Sequence, residues 1–262
     1  MRYSRRILLG LLGLGYAVAL AHGGLGIASL PAFAALCLAG WLVRPAHGLW
    51  LKSVGHGLFV VLALALALHA VPGFDNARVI DGVRFTPDAA PFSMNLNLDK
   101  PLIGLWLLLV CPWVIGVRSP RLASSLAIAV LTTLACLATG RLLGIVDWAA
   151  KWPAQTWIWT LNNLLLVSLT EEALFRGYLQ GGLQRLLAPL RRGPDLALAG
   201  AALLFGLAHV GGGWPWVALA TLAGVGYGLA WRQGGLPAAL LAHFVLNLMH
   251  FLLFTYPSLA TA

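Results

Sequence analysis

Nine apolar stretches follow one another along this chain, at residues 7–21, 25–43, 53–71, 101–117, 122–140, 157–187, 196–210, 214–231 and 236–256. Most approach the roughly 20 residues that a helix needs to cross a bilayer. In lipid every backbone N–H and C=O must bond internally, so runs of this length fold as helices. The chain has 262 residues, 60% of them hydrophobic and 10% charged, against about 25% charged in a soluble domain. That balance excludes a soluble enzyme, a disordered chain and a nucleic-acid binder, which would need solvated basic faces. The expected fold is all-α, a polytopic transmembrane bundle of about eight to nine helices. The sixth stretch exceeds a simple span and turns polar in its second half.

The net charge of +9 gives an orientation. With the N-terminus in the cytoplasm and the spans alternating, twelve basic residues fall on the inner side: Arg2, Arg5, Arg6, Arg44, Lys52, Arg118, Arg121, Arg176, Arg185, Arg191, Arg192 and Arg232. Five fall outside, Arg78, Arg84, Lys100, Arg141 and Lys151, and Asp75, Asp81, Asp88, Asp99 and Asp147 match them. Positive charge on the cytoplasmic side predicts an N-in, C-out topology. Trp148, Trp152, Trp157, Trp159, Trp214 and Trp216 would form an outer aromatic belt, and Trp41, Trp50 and Trp231 an inner one.

Residues 1–21 also carry the basic, apolar and small-residue order of a cleavable signal peptide. Polar residues 72–100 form an outer loop, either laid over the bundle or a connector. Residues 1–150 are read as N-terminal transmembrane helices and 151–262 as a C-terminal helical core. Cys37, Cys111 and Cys136 lie in apolar runs and suit packing better than a disulfide framework.

The only two glutamates, Glu171 and Glu172, are adjacent and follow the apolar run 164–170. A charge at mid-bilayer costs about 2.5–3.5 kcal/mol, so two glutamates and Arg176 need pairing or a wet cavity. Glu172 and Arg176 are four apart and share a helix face, where they can pair. Glu171 points about 100° away and is left free for chemistry. His209 and His243 are each set in a span: Phe205 precedes His209 by four residues, and Asn247 follows His243 by four. His250 falls on nearly the face of His243, where it can support the site. His22, His47 and His56 lie nearer helix ends or loops and read as interfacial or structural, and His69 lies near the outer end of the third stretch. At 1.5 Å rise per residue, the polar groups can meet in the inner half of the membrane if the sixth, seventh and ninth helices pack together.

Glu171-Glu172-Ala173-Leu174-Phe175-Arg176, Phe205 to His209 and His243 to Asn247 resemble the EExxxR, FxxxH and HxxxN motifs of the CAAX-processing and bacteriocin-processing intramembrane proteases (CPBP, or Abi), the group containing the type II CAAX prenyl endopeptidase. The resemblance covers about residues 157–256. It implies an intramembrane endopeptidase acting on a membrane-anchored protein or lipidated peptide, one that trims a C-terminal sorting, anchoring or CAAX-like segment. Glu171 and His209 would activate the water, and His243 and Asn247 would donate to the oxyanion. Glu172, Arg176 and Phe205 would support the site. No cofactor is expected, because no HExxH occurs. The alternative is a divalent metal such as zinc on Glu171, His209 and His243. Two rival classes remain, a noncatalytic binding or immunity protein of the same fold and a proton-coupled transporter. The Ala-, Leu-, Gly- and Arg-rich composition points to the cytoplasmic membrane of a bacterium.

Overall fold

A computed structural model describes residues 2–116 and 121–261. Arg118 and the end of the fourth apolar stretch lie outside the described residues, as does the side chain of Arg2. The first half of the bundle holds α1 (Arg2–His22), α2 (Leu30–Leu42), α3 (Leu49–Ala67), α4 (Pro101–Val110) and α5 (Leu122–Leu142). A continuous helix then runs over 156–186, followed by a helix at Gly193–Leu207 and a helical segment at Trp214–Leu253. Among the described residues, four helical segments are long and apolar enough to cross a membrane, namely Tyr3–His22, Leu49–Ala67, Leu122–Leu142 and Trp214–Leu253.

The fourth stretch is not a full span. Pro101 opens α4, where a missing N–H costs nothing, and Pro112 stops it by removing the next helical donor. The ten residues of α4 reach about 15 Å, half of an apolar core about 30 Å thick. A short 3₁₀ turn, Pro112–Ile115, completes the stretch. Trp106 fixes α4 in the bundle, stacking on Phe59 with centroids 3.9 Å apart and donating its indole N–H to the Leu36 carbonyl at 2.9 Å.

Residues 72–100 are not a connector, and they add strand to the all-α expectation. Short strands β1 (Gly24–Leu25) and β2 (Phe74–Asp75) pair antiparallel. Strands β3 (Ala77–Val83) and β4 (Phe92–Leu96) form a hairpin, with Ala77 opposite Leu96 and Val83 opposite Phe92. Ile80, Met94, Leu96 and Leu98 from this layer enter the core, and Phe85 packs edge-on against Phe251 at 5.1 Å. The hairpin therefore covers one end of the bundle. Of the expected charge matches nearby, Arg78 pairs with Asp81 and Arg141 with Asp147. Asp99 instead accepts from His69 and Asn76. Trp159 and Trp231 are buried, so neither belongs to an interfacial belt, whereas Trp148, Trp152, Trp157, Trp214, Trp41 and Trp50 are exposed.

The last helical segment reverses on itself. Trp216 and His250 are thirty-four residues apart, which is about 51 Å along a straight helix, yet their rings are 6.4 Å apart. The turn falls at Gly235, with φ 67° and ψ −159°, a backbone conformation that L-residues avoid. The arms 214–234 and 236–253 are thus antiparallel neighbours, matching the eighth and ninth stretches. Small residues bring the Gly193–Leu207 helix against the first arm, as they do between membrane helices. A Cβ on Gly206 would lie 1.9 Å from Thr221 Oγ1.

The 156–186 helix threads the centre and contains two wider π-helical stretches, Asn162–Ser168 and Ala173–Gln180. They flank the glutamate pair, and such insertions often occur at functional sites. A Cβ on Gly15 would press on Leu165, and one on Gly104 would touch both Leu12 and Thr170. Helix α1 is therefore antiparallel to the central helix, and its N-terminus lies at the end of the bundle where residue 186 sits.

Candidate active site

The central helix places Glu172 and Arg176 where neither touches solvent; both are 0% exposed. Arg176 Nε lies 3.3 Å from Glu172 Oε2, the ion pair expected from their spacing. The guanidinium carbon also sits over three aromatic rings, 4.4 Å from Phe205, 5.3 Å from Tyr227 and 5.8 Å from Phe175. The ring faces carry negative quadrupole potential, so this cage holds a cation away from water. Phe205 thus contacts the buried charge directly and brings the Gly193–Leu207 helix to it.

The second oxygen of Glu172 is also used. His243 Nδ1 lies 2.8 Å from Glu172 Oε1. A carboxylate can only accept, so the Nδ1 proton points to Glu172 and Nε2 is the nitrogen left free. The His243 ring stacks on Tyr227, with centroids 4.6 Å apart and planes 11° from parallel. Phe205 meets the same ring edge-on at 5.9 Å. The sequence reading gave Glu172 a partner only in Arg176; here it orients His243 as well.

His209 lies just beyond its helix, which ends at Leu207, in the turn leading to Val210–Gly212. Its Nδ1–H donates to the Phe205 carbonyl at 2.8 Å, which leaves the Nε2 lone pair unused. Asn247 Nδ2 donates to Asn163 Oδ1 at 3.3 Å, and Ser168 Oγ donates to the same oxygen at 3.2 Å. Glu171 makes no hydrogen bond or ion pair among the described residues, consistent with a carboxylate facing away from the Glu172–Arg176 pair. His250 Nε2 donates to the Thr255 carbonyl at 3.2 Å.

Glu171, His209, His243 and Asn247 line one cavity of about 170 Å³, with Tyr227 and His250 also in its wall. Three separate helical elements meet there. The wall extends to Gly140, Val146 and Trp216, at helix ends on the face away from the N-terminus. The expected position in the half nearer the N-terminus is therefore incorrect. His209 follows the end of its helix instead of lying within it, and so sits at the opposite rim. His22, His47, His56 and His69 are absent from this cavity.

Asn163 and Tyr227 belong to the same cluster, although the sequence reading did not single them out. The signal for Asn163 was available: Asn162-Asn163 are two amides inside an apolar run, which calls for a polar partner. Tyr227 lies between two glycines in a helix and looks like ordinary packing. Among the described residues, no group of three or more His, Cys, Asp or Glu is placed to hold a metal ion. His209 and His243 each engage Nδ1 and leave Nε2 free, the hydrogen bonding that metal-ligating imidazoles also make, so the fit of Glu171, His209 and His243 to a metal turns on their placement alone.

Apolar helices closed around buried carboxylate, imidazole and amide groups define an integral membrane protein with an enzyme-like interior site. Residues 153–249 match the family described as Type II CAAX prenyl endopeptidase Rce1-like. The match covers about a third of the chain, and over that segment the protein is similar to this CAAX endopeptidase family. The match contains all three sequence motifs and stops before His250. No curated protein and no solved structure matches the chain.

Proposed function

We propose that this protein is an intramembrane endopeptidase that cuts a membrane-tethered protein or lipidated peptide with a glutamate-activated water. The observation that carries the reading is the meeting of Glu171, His209, His243 and Asn247 on one cavity wall. Glu171 is the candidate base, since it alone of the two carboxylates has no partner among the described residues. It takes a proton as the water oxygen attacks the peptide carbonyl carbon, and His209 Nε2 orients that water. The carbonyl π electrons move to oxygen, where the Asn247 amide donates to the developing charge. Collapse of the tetrahedral intermediate breaks the C–N bond, and Glu171 returns its proton to the leaving amine.

His243 has a more conditional part in the oxyanion site. Its Nδ1–H faces Glu172, so Nε2 can donate only when the ring is an imidazolium. Glu172, Arg176 and Phe205 position the ring and take no direct part. The reading requires no metal. It places the protein in the cytoplasmic membrane of a bacterium, with its N-terminus inside.

The test compares protein termini in membranes from cells carrying wild type or Glu171→Gln, at equal expression. Termini present only with wild type support proteolysis and identify the substrate. The same new termini in both strains contradict the role given to Glu171.

A further inference from the structure

A second polar cavity, of about 500 Å³, lies at the other end of the central helix, between the start of α3 and residue 186. Ser53, His56, Trp113, Tyr178 and Arg185 line it, and none of them contributes to the cavity holding Glu171. The Arg185 guanidinium carbon sits 3.5 Å over the Trp113 ring. Trp113 in turn stacks on Tyr178, at 5.5 Å and 24°. The Tyr178 hydroxyl is 3.0 Å from His56 Nδ1. When the hydroxyl donates in this bond, the imidazole proton resides on Nε2.

Every polar side chain in this wall can donate a hydrogen bond, and none is a carboxylate. Arg185 takes part in no ion pair among the described residues. The Trp113 ring face covers one side of the guanidinium, and its N–H fork, engaged in no ion pair, can meet two oxygens of one anion. Lys52, four residues before His56, lies on the same face of α3 and adds positive charge. The surrounding surface is apolar: Leu49, Trp50 and Leu186 are 82%, 74% and 77% exposed. An occupant must therefore combine an anionic group with hydrocarbon.

We infer that this cavity binds the phosphate-ester headgroup of an anionic phospholipid, drawn from the leaflet on the N-terminal face. Arg185 and His56 grip the phosphate oxygens, and the acyl chains lie along Leu186 and Trp50. A free phosphate would satisfy the donors and leave that apolar rim unused. The inference does not depend on the protease reading.

The test measures thermal unfolding of the full-length protein in vesicles of phosphatidylcholine alone and of phosphatidylcholine with phosphatidylglycerol. Wild type is expected to unfold at higher temperature with phosphatidylglycerol, and Arg191→Gln, an exposed residue outside the cavity, to keep the whole shift. Arg185→Gln should weaken phosphatidylglycerol binding roughly tenfold, the scale of one charge-assisted hydrogen bond, and Arg185→Lys should recover part of it. If Arg185→Gln fails to fold, Ser53→Asp, which adds a carboxylate to the cavity, should abolish the shift. Full retention of the shift in the folded variant overturns the inference. An equal shift from inorganic phosphate added to neutral vesicles also overturns it, by marking a free-anion site.

Discussion

Glu172 and His243 are seventy-one residues apart in sequence and joined by a buried hydrogen bond of 2.8 Å. The same carboxylate faces Arg176 through its other oxygen. One glutamate thus holds a cation and an imidazole together beneath the cavity, leaving its neighbour Glu171 unencumbered. The two adjacent carboxylates are consequently expected to respond differently to substitution.

Glu172→Gln should damage stability first. It leaves the Arg176 charge buried without its counter-ion, a change that costs about 3–5 kcal/mol. Thermal unfolding of the purified protein in detergent should show a large drop. A variant as stable as wild type would mean that the aromatic cage alone suffices for Arg176.

Asn163→Ala removes the acceptor that holds the Asn247 amide. If Asn247 serves the oxyanion, the loss should fall on kcat with little change in KM, because the developing charge exists only in the transition state. About tenfold is expected for a donor that is misplaced rather than deleted, less than the 10²–10³ typical of outright removal. Asn163→Asp keeps an acceptor oxygen and should recover part of the rate. Equal effects on kcat and stability would instead assign Asn163 a structural role.

Gly206→Ala tests the close helix approach. Its Cβ would meet Thr221 Oγ1 at 1.9 Å and the Val217 carbonyl oxygen at 2.8 Å, so the helices must separate or the backbone must shift. Overpacking of this kind typically costs about 1–3 kcal/mol. Adding Thr221→Ala should restore part of the stability by removing the nearer atom, leaving the carbonyl contact in place. Thermal unfolding of the single and double variants checks both expectations.

Chelators should leave activity unchanged. The glutamate reading assigns no step to a metal, so prolonged incubation of the purified protein with EDTA or 1,10-phenanthroline should not alter the cleavage rate. Loss of activity that zinc restores would favour the alternative ligand set of Glu171, His209 and His243.

The catalytic candidates were legible because charges and imidazoles stand out in apolar runs, where each has an energetic cost that demands a partner. Glu171, Glu172, Arg176, His209, His243 and Asn247 all announce themselves in this way. The local pair of Glu172 and Arg176 also follows from helix periodicity. The Glu172–His243 bond does not, because it depends on how the second arm of the terminal hairpin packs on the central helix. Strands β3 and β4 were hidden for a different reason. Their bulged register and polar sequence lack a clean alternation, and their pairing becomes visible only through Ile80, Met94 and Leu96 entering the core. The short α4 was foreshadowed by Pro112, but mean hydropathy carries no information about a backbone donor lost at one residue.

The most direct test of the central claim is the cleavage rate of purified wild type, Glu171→Gln and Glu172→Gln in liposomes, on the substrate found from the membrane termini, with unfolding temperatures measured on the same samples. The account predicts that Glu171→Gln loses at least about 10² in rate, the lower range for general acid–base catalysis, at an unfolding temperature close to wild type. Glu172→Gln should show its main loss in stability. A Glu171→Gln protein that folds and cuts at the wild-type rate would contradict the account.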